Sequence, residues 1–251
     1  MSNEFNLLIK NSEKEKTNRA EFRELFKRSP LPENELMSNL GLFINRQMMS
    51  RILFMHDLFL KALPLHGSIF EFGTRWGQNL ALMQVFRGIY EPYNYSRKLV
   101  AFDTFSGFPS VHEKDGGSEN IAKGGYGVTE NYEDYLSKIL DYHNSENPIA
   151  HIKKHELVKG DASVELEKYL KNHPETLVSF AYFDFDIYEP TRRCLELIKP
   201  YLIKGAVIGF DEVNHQQWPG ETVALREILG ANNFRICRSP YSSYSSYLIY
   251  E

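Results

Sequence analysis

Residues 68–77 read Ser-Ile-Phe-Glu-Phe-Gly-Thr-Arg-Trp-Gly, a short apolar run that carries one acid, Glu71, and is followed by two glycines, Gly73 and Gly77. A helical pattern of apolar residues begins directly after Gly77. The stretch therefore predicts a strand, a tight turn and the start of a helix. In an open α/β sheet, ligands bind at such a turn, outside the carboxyl end of the strand. Gly73 would let the backbone come close to a bound molecule.

The acid in this turn bears on the kind of ligand. Dinucleotide-binding turns follow the pattern G-x-G-x-x-G and hold phosphates on the helix N-terminus. Glu71 stands at the first glycine position of that pattern and would repel a pyrophosphate. A carboxylate there suits a ligand with positive charge, such as the amino group and sulfonium of S-adenosylmethionine. The same residues also fit an ordinary strand-to-helix turn, so the turn alone leaves the ligand open.

Composition describes an ordinary soluble protein of 251 residues, with 42% hydrophobic and 25% charged residues, enough for one large α/β domain. The net charge of -4 gives no sign of a nucleic-acid partner. The two cysteines, Cys194 and Cys237, are not spaced like zinc ligands, and we expect reduced thiols. The sequence shows neither a signal-peptide pattern nor an apolar run of membrane-spanning length. It predicts a cytoplasmic protein with no membrane partner.

Strand patterns and connections predict the fold. Apolar runs at 69–72, 99–103, 156–162, 177–186 and 205–211 alternate with helical patterns. The last two runs, 234–238 and 246–250, are joined by a turn too short for a crossover helix, so they must pair antiparallel. Residues 67–251 therefore predict a Rossmann-like, doubly wound, seven-stranded sheet of the class I methyltransferase type, with an antiparallel last strand.

Residues 1–66 are predicted to form an N-terminal helical arm or cap. Helical spacing covers 21–28 and 35–63, and one face of the second segment is apolar, with Met48, Ile52, Met55 and Phe59. A stripe of this kind is more often core or dimer surface than a cofactor site. A homodimer through the arm is one expectation, and a cap over the substrate would look the same.

Asp103 ends the second strand about thirty residues after the glycine turn. An acid at this position binds two ribose hydroxyls in nucleotide-binding sheets, although a turn or cap role would also explain it. The aperiodic, glycine-rich stretch at about 104–129 follows, and we expect it to form a lid. Asp161 and the backbone of Ala162 are predicted at an adenine amino group, and Asp161 equally suits a helix N-cap.

Acids also follow the fourth and fifth strands. Asp184 and Asp186 are two residues apart, and strand alternation predicts that both face one cleft. Asp211 and Glu212 follow the neighbouring strand. Asp184, Asp211 and Glu212 would repel one another unless a cation binds or a proton is shared. Their hard oxygens suit magnesium or manganese, and turn acids facing water are the alternative.

Two longer motifs carry a family resemblance. Residues 102–109 read Phe-Asp-Thr-Phe-Ser-Gly-Phe-Pro and residues 184–191 read Asp-Phe-Asp-Ile-Tyr-Glu-Pro-Thr. With Glu71-Phe-Gly73, Gly160-Asp161-Ala162, Asp211 and Trp218-Pro219-Gly220, the chain resembles the macrocin O-methyltransferase family of sugar O-methyltransferases over about 68–230. The resemblance implies S-adenosylmethionine as methyl donor and a sugar or nucleotide-sugar hydroxyl as acceptor. It also implies magnesium on Asp184, Asp211 and Glu212. That family usually has Asp-Asp where this chain has Asp211-Glu212.

The predicted site follows from these motifs. The resemblance implies that Asp186 is the general base, and His215 is a second candidate that also fits a surface loop. The predicted donor site comprises Glu71, Gly73, Thr74, Asp103, Thr104, Phe105, Asp161, Ala162 and Asp184.

Other functions stay open from the sequence. One is an N-methyltransferase or a metal-independent O-methyltransferase acting on another polar metabolite. A nicotinamide-dependent sugar epimerase or reductase would need the missing G-x-G-x-x-G and a Tyr-x-x-x-Lys pair, which the chain lacks. A non-catalytic protein that binds a partner through its aromatic arm would leave the clustered acids without a role.

Overall fold

A computed structural model describes residues 12–117 and 121–251. Residues 1–11 of the predicted arm and residues 118–120 of the predicted lid lie outside this described part. The chain divides into two compact units, Met1–Ser50 and Arg51–Glu251. None of the described helices has the length and apolar character needed to cross a membrane.

The first unit is helical. Its first helix begins earlier than the expected residue 21, because Ser12 and Glu15 form a capping box in which each side chain accepts a hydrogen bond from the other residue's backbone N–H. The first two turns are polar and exposed, so apolar spacing could not reveal them. Phe43 packs against Phe26 with ring centroids 4.9 Å apart. The elements are α1 (Glu13–Lys27), α2 (Glu33–Ser38), a 3₁₀ turn (Leu40–Phe43) and the start of α3 (Arg46–Ala62).

The second unit is built on one sheet, which has seven strands in the described residues, in the order β3-β2-β1-β4-β5-β7-β6. Strands β1 to β5 are parallel, and β7 is antiparallel to both of its neighbours. The predicted class I architecture is therefore confirmed. The strands are β1 (Ser68–Phe72), β2 (Leu99–Asp103), β3 (His155–Lys159), β4 (Val178–Phe183), β5 (Leu202–Phe210), β6 (Cys237–Arg238) and β7 (Ser246–Tyr250).

Helices cover both faces of this sheet. The part of α3 from residue 51 onward packs on one face together with two crossover helices, and three further helices pack on the other face. These helices are α4 (Gln78–Tyr90) and α5 (Tyr132–Ser145) on the first face, and α6 (Ala162–Asn172), α7 (Tyr188–Ile198) and α8 (Gly220–Ile228) on the second.

A row of buried phenylalanines fixes the four central strand ends side by side. Phe72 stacks on Phe102 at 5.3 Å between ring centroids and on Phe183 at 4.7 Å, and Phe183 stacks on Phe210 at 5.3 Å. All four rings are fully buried. Each buried ring contributes about 1.5–3 kcal/mol through burial. The row lies directly before the residues that the sequence assigns to the site, so it positions them.

Several strand bounds differ from the sequence predictions. Strand β1 begins one residue earlier, β3 covers His155–Lys159 instead of 156–162, and β5 covers Leu202–Phe210 instead of 205–211. Two further differences bear on the interpretation. Strand β4 ends at Phe183, not at residue 186, so Asp184 and Asp186 lie in the turn after the strand. The argument from strand alternation was therefore wrong, although the two acids are near neighbours. Strand β6 contains Cys237 and Arg238 alone, instead of 234–238, because Phe234 stacks on Tyr250 from a turn outside the ladder.

Candidate active site

The glycine turn after β1 is packed against the neighbouring strand end. Gly73 has φ +86, and a Cβ placed there would lie 2.1 Å from the carbonyl oxygen of Asp184. Its N–H donates to the carbonyl oxygen of Phe102 at 3.0 Å. Gly73 is thus required by both the backbone dihedral and the close approach of β4.

Glu71 is a buried acid in this turn. Glu71 lies on β1, and the hydrogen-bonding side chains that face its carboxyl, Thr74 and Asn79, are both neutral and buried. Burial, helped by the nearby charge of Asp184, raises the pKa of Glu71 to about 8. The hydrogen bonds of Thr74 and Asn79 oppose this rise without cancelling it. The turn therefore presents a buried carboxyl that a positively charged ligand group could bind.

Asp103 joins two turns of the site. Its Oδ2 accepts a hydrogen bond from the N–H of Arg75 at 2.7 Å, and its Oδ1 accepts one from the N–H of Phe105 at 2.6 Å. Arg75 and Phe105 have φ values of +47 and +54, so these bonds hold left-handed residues in both turns. Burial raises the pKa of Asp103, while these amide bonds oppose the rise. The backbone of Thr74 also hydrogen-bonds this carboxylate, and the capacity that remains on its two oxygens is available to a diol.

The other predicted donor residues have local partners. The Thr104 hydroxyl donates to the carbonyl oxygen of Gly107 at 2.7 Å and so closes the turn that carries the buried ring of Phe105. Asp161 caps α6 by accepting a hydrogen bond from the N–H of Ser163 at 2.9 Å. Ala162 is the buried first residue of that helix. The cap interpretation of Asp161 is thus present, and a role toward a ligand can coexist with it.

The acids after β4 and β5 surround an arginine. Asp211 Oδ1 accepts hydrogen bonds from Arg51 Nη1 at 2.5 Å, from the Tyr182 hydroxyl at 2.9 Å and from the Ser245 hydroxyl at 3.3 Å. Arg51 Nη1 also lies 3.9 Å from Asp184 Oδ2. Sequence reasoning missed Arg51. Its signal was a basic residue on the apolar face of α3, between Met48 and Met55.

The acids of this cluster differ in the direction in which their pKa values are shifted. Burial would raise the pKa of Asp211, but Arg51 and the two hydroxyls outweigh it and lower this pKa below its ordinary value. Burial together with Asp211 raises the pKa of Asp184 well above its usual range and that of Glu212 to about 8. Burial together with Glu212 raises the pKa of Asp186. Asp211 is therefore the carboxylate that stays ionised, and its neighbours hold protons more tightly.

The predicted magnesium ligands do not fit a metal ion as they are arranged. Their oxygens are chemically suitable, but Arg51 binds Asp211 and approaches Asp184. Within residues 12–117 and 121–251, no group of three or more His, Cys, Asp or Glu side chains is placed to hold a metal.

The two catalytic candidates occupy different places. Asp186 is buried, with φ +62, and burial and the charge of Asp186 raise the pKa of Tyr126 from the predicted lid. The Tyr126 ring contacts Trp218 at 5.6 Å, so an aromatic wall stands near this acid. His215 is half-buried against Tyr244, and its Nε2 lies 3.8 Å from Glu212 Oε2. Asp186 and His215 thus flank Glu212 from separate loops.

Comparison with solved structures identifies the family. The crystal structure of CalS11, a calicheamicin methyltransferase, is 37% identical and covers 99% of this chain and 98% of that chain, with a TM-score of 0.93. This chain belongs to the sugar O-methyltransferase family. An apo structure of CalS11, described as a TDP-rhamnose 3'-O-methyltransferase, is 36% identical over 96% of each chain, with a TM-score of 0.84.

More distant structures agree on the fold. The O-methyltransferase NovP is 16% identical, covers 80% of this chain and 79% of that chain, and has a TM-score of 0.61. A scan against protein-family models and a search of curated proteins found no match. The predictions of an enzyme, of S-adenosylmethionine-dependent O-methylation and of a sugar acceptor are confirmed by the CalS11 similarity.

This sugar O-methyltransferase also contains a clamp that the sequence did not reveal. Glu221, fully buried at the start of α8, accepts hydrogen bonds at Oε1 from the N–H groups of Phe185 at 3.0 Å and Asp186 at 3.1 Å. Its Oε2 accepts one from the N–H of Glu212 at 3.1 Å. One carboxylate thus joins the two loops that carry the acids. Its position after Trp218-Pro219-Gly220 was the available signal.

Proposed function

We propose that this methyltransferase methylates a hydroxyl of a nucleotide-linked sugar, with TDP-rhamnose as the first candidate. The observation that carries the proposal is the 36% identity, over 96% of each chain, to a TDP-rhamnose 3'-O-methyltransferase. The methyl donor and the sugar acceptor are both small polar molecules, and we propose that the reaction takes place in the cytoplasm.

On the donor side, Glu71 pairs with the positive charge of S-adenosylmethionine. The supporting feature is its buried carboxyl, whose hydrogen-bonding neighbours Thr74 and Asn79 are neutral and whose pKa is raised to about 8. Gly73 leaves room for the donor beside β4, and Asp103 accepts hydrogen bonds from the ribose diol with its remaining lone pairs. Asp161 and the backbone of Ala162 bind the adenine amino group. The donor is further lined by Thr74, Thr104, Phe105 and Asp184.

On the acceptor side, Asp186 takes the proton from the sugar hydroxyl. The hydroxyl oxygen then bonds to the methyl carbon as the bond between that carbon and sulfur breaks, which leaves S-adenosylhomocysteine. The burial that raises the pKa of Asp186 also makes its ionised form a stronger base. His215 is the alternative proton acceptor, since it lies beside Glu212. The reaction as proposed contains no metal step, because Arg51 binds the acids that were expected to hold magnesium.

Two parts outside the chemistry complete the proposal. Residues 104–129 act as a lid, supported by the contact of Tyr126 with Trp218. Within the predicted arm, residues 1–66, the described part from residue 12 onward pairs two copies of the chain, supported by exposed apolar side chains at Leu25, Met37 and Leu42. Light scattering on the triple variant with serine at these three positions tests the pairing. A mass unchanged from that of the wild type contradicts it.

Calorimetric titration tests the donor site. S-adenosylhomocysteine should bind the wild type, and Asp103→Ala should lose at least about tenfold in affinity because the diol loses its acceptor. TDP-rhamnose should then bind to the donor-saturated enzyme more tightly than free rhamnose or TDP. Failure of S-adenosylhomocysteine to bind contradicts the donor site, and equal binding of TDP and TDP-rhamnose contradicts the acceptor.

A further inference from the structure

The acid cluster after β4 and β5 contains its own cation. Arg51 Nη1 lies 2.5 Å from Asp211 Oδ1, 2.7 Å from the Tyr182 hydroxyl and 3.9 Å from Asp184 Oδ2. The Tyr182 hydroxyl in turn donates to Asp211 at 2.9 Å. The guanidinium is therefore held by three groups from two strands, and its side chain keeps 29% of its surface exposed.

The surroundings explain why a cation is needed there. Asp184, Asp186, Asp211, Glu212 and Glu221 come together where β4 and β5 end: Glu221 accepts hydrogen bonds from the N–H groups of Asp186 and Glu212, and Arg51 reaches both Asp184 and Asp211. Carboxylates gathered in this way repel one another unless a positive charge compensates them. Arg51 supplies such a charge from α3, which lies far from all five acids in the sequence, and Arg75 adds positive charge from the turn after β1.

We infer that Arg51 is the resident cation of this cluster and stands in the place that the family resemblance assigns to magnesium. This inference deepens the proposed function, since it names the charge that serves the same acids. A divalent ion binds Asp184 and Asp211 only after the guanidinium has left, because two cations a few ångströms apart repel strongly in a half-buried site. Asp211 Oδ1, which already accepts three hydrogen bonds, has no further capacity for a metal.

The role in the reaction follows from the position of the charge. A fixed guanidinium beside Asp184 and Asp211 keeps Asp211 ionised and stabilises the negative charge that develops on the sugar oxygen when Asp186 removes its proton. Because Arg51 comes with the fold, this stabilisation is in place before the substrate binds. Arg51 therefore acts as a positioning residue for the acids and as a source of positive potential.

Manganese binding provides a test that does not depend on turnover. Mn²⁺ is titrated by calorimetry, with electron paramagnetic resonance of the free ion, into the wild type, Arg51→Met, Arg51→Lys and the control Arg235→Met, whose arginine is exposed. Arg51→Met should bind Mn²⁺ at least about tenfold more tightly than the wild type, because the competing cation is gone. Arg235→Met should match the wild type, and Arg51→Lys should lie closer to the wild type than Arg51→Met does.

The inference can also be overturned by the Mn²⁺ affinities. Equal Mn²⁺ affinity in the wild type and Arg51→Met, or weaker binding in the variant, overturns the inference. If Arg51→Met does not fold, the comparison rests on Arg51→Gln, which removes the charge but keeps a hydrogen-bond donor and should bind Mn²⁺ more tightly than the wild type; equality overturns the inference here too. S-adenosylhomocysteine binding is measured on the same wild-type sample. Its absence counts against the proposed function and leaves the manganese comparison intact.

Discussion

Buried acids in the two halves of the site are held by different kinds of partner. At the end of β1, Glu71 is buried, its pKa is raised to about 8, and the side chains that hydrogen-bond it, Thr74 and Asn79, are neutral. At the ends of β4 and β5, Asp211 accepts three hydrogen bonds at one oxygen, one of them from Arg51, and Glu221 accepts three backbone N–H groups. The charge of Glu71 is left for a ligand to compensate, whereas Asp211 and Glu221 are held by groups of the protein itself.

The difference fits the work proposed for each half. Ionising a buried acid that has only neutral partners is costly in the empty protein, and a cationic ligand lowers that cost when it binds. An acid that must meet a reacting atom gains more from being fixed beforehand, since misplacement by about 1 Å can cost ~10²-fold in rate. In the donor half, the acid is thus available to bind a cationic ligand. In the acceptor half, the acids are held in fixed positions for the reaction.

We expect the largest effect on stability and donor binding at Gly73, where the turn after β1 packs against the end of β4. Gly73→Ala would place a Cβ 2.1 Å from the carbonyl oxygen of Asp184, at φ +86. The backbone atoms of Asp184 and Phe185 that a Cβ would meet cannot give way, so we expect a loss of at least ~3 kcal/mol in stability and no measurable S-adenosylhomocysteine binding. Thermal unfolding and calorimetry measure both. Gly124→Ala is the matched control, because Gly124 also has a positive φ, +79, and no atom of the described residues lies within 4 Å of a Cβ there.

Glu221→Gln tests whether geometry dominates the acceptor half. The amide –NH₂ must face either the N–H of Glu212 or those of Phe185 and Asp186, so at least one acid-bearing loop is released. We expect kcat to fall about 10²-fold with little change in the affinity for S-adenosylhomocysteine. Steady-state kinetics with the exposed-residue control Glu175→Gln measure this. A wild-type kcat in Glu221→Gln would show that the hydrogen bonds of Glu221 are not needed to position the acids for catalysis.

The donor half should respond to pH through Glu71. Its pKa of about 8 in the free protein means that a cationic ligand must displace a proton below that pH. The ratio of wild-type to Glu71→Gln affinity for S-adenosylmethionine should therefore rise as pH increases, by up to about tenfold per unit, and level off above pH 8. A ratio that does not change with pH contradicts the pairing of Glu71 with the donor.

The same shift affects the ligand-free protein. The folded state keeps the Glu71 proton up to about pH 8, whereas the unfolded state releases it near 4.5. The contribution of this group to stability is thus fully present below pH 4.5 and is lost as pH rises through about 8. Chemical denaturation across this range should show a steeper loss in the wild type than in Glu71→Gln.

We expect the smallest effect at Asp161, where two substitutions distinguish its role as a helix N-cap from a contact with the ligand. Asp161→Ala should cost ~1 kcal/mol of stability by removing the N-cap of α6, whereas Asp161→Ser should keep it. If Asp161 also meets the adenine, Asp161→Ser should still bind S-adenosylhomocysteine several-fold more weakly, at about 0.5–1.5 kcal/mol per hydrogen bond. Unchanged binding in Asp161→Ser would leave the cap as its role.

The sequence was most informative where the structure is local. Strand β2 has the predicted bounds, and the turn at Gly73 follows from an apolar run and a glycine that are contiguous in the chain. The family motifs located the strand-end acids for the same reason. Alternation failed after Phe183, because the turn that carries Asp186 is held by Glu221, 35 residues further along.

Long-range contacts account for what the sequence did not reveal. Arg51 and Glu221 are single charged residues near or within helices, and such residues usually lie in solvent. Only the folded sheet brings Arg51 to Asp211 and Glu221 to two loops at once. The polar first turns of α1 were missed for a different reason, since a capping box and exposed side chains leave no apolar spacing.

Methyl transfer from S-adenosylmethionine to a nucleotide-linked sugar is the most direct test of the proposed function. S-adenosylmethionine with a labelled methyl group is incubated with TDP-rhamnose and either the wild type or Asp186→Asn, and the products are analysed by mass spectrometry. We expect the wild type to place the label on a sugar oxygen, with one S-adenosylhomocysteine per product, and Asp186→Asn to be slower by about 10²–10⁴-fold. Absence of labelled sugar from TDP-rhamnose and from other nucleotide-linked hexoses, with the donor left intact, would contradict the proposed function.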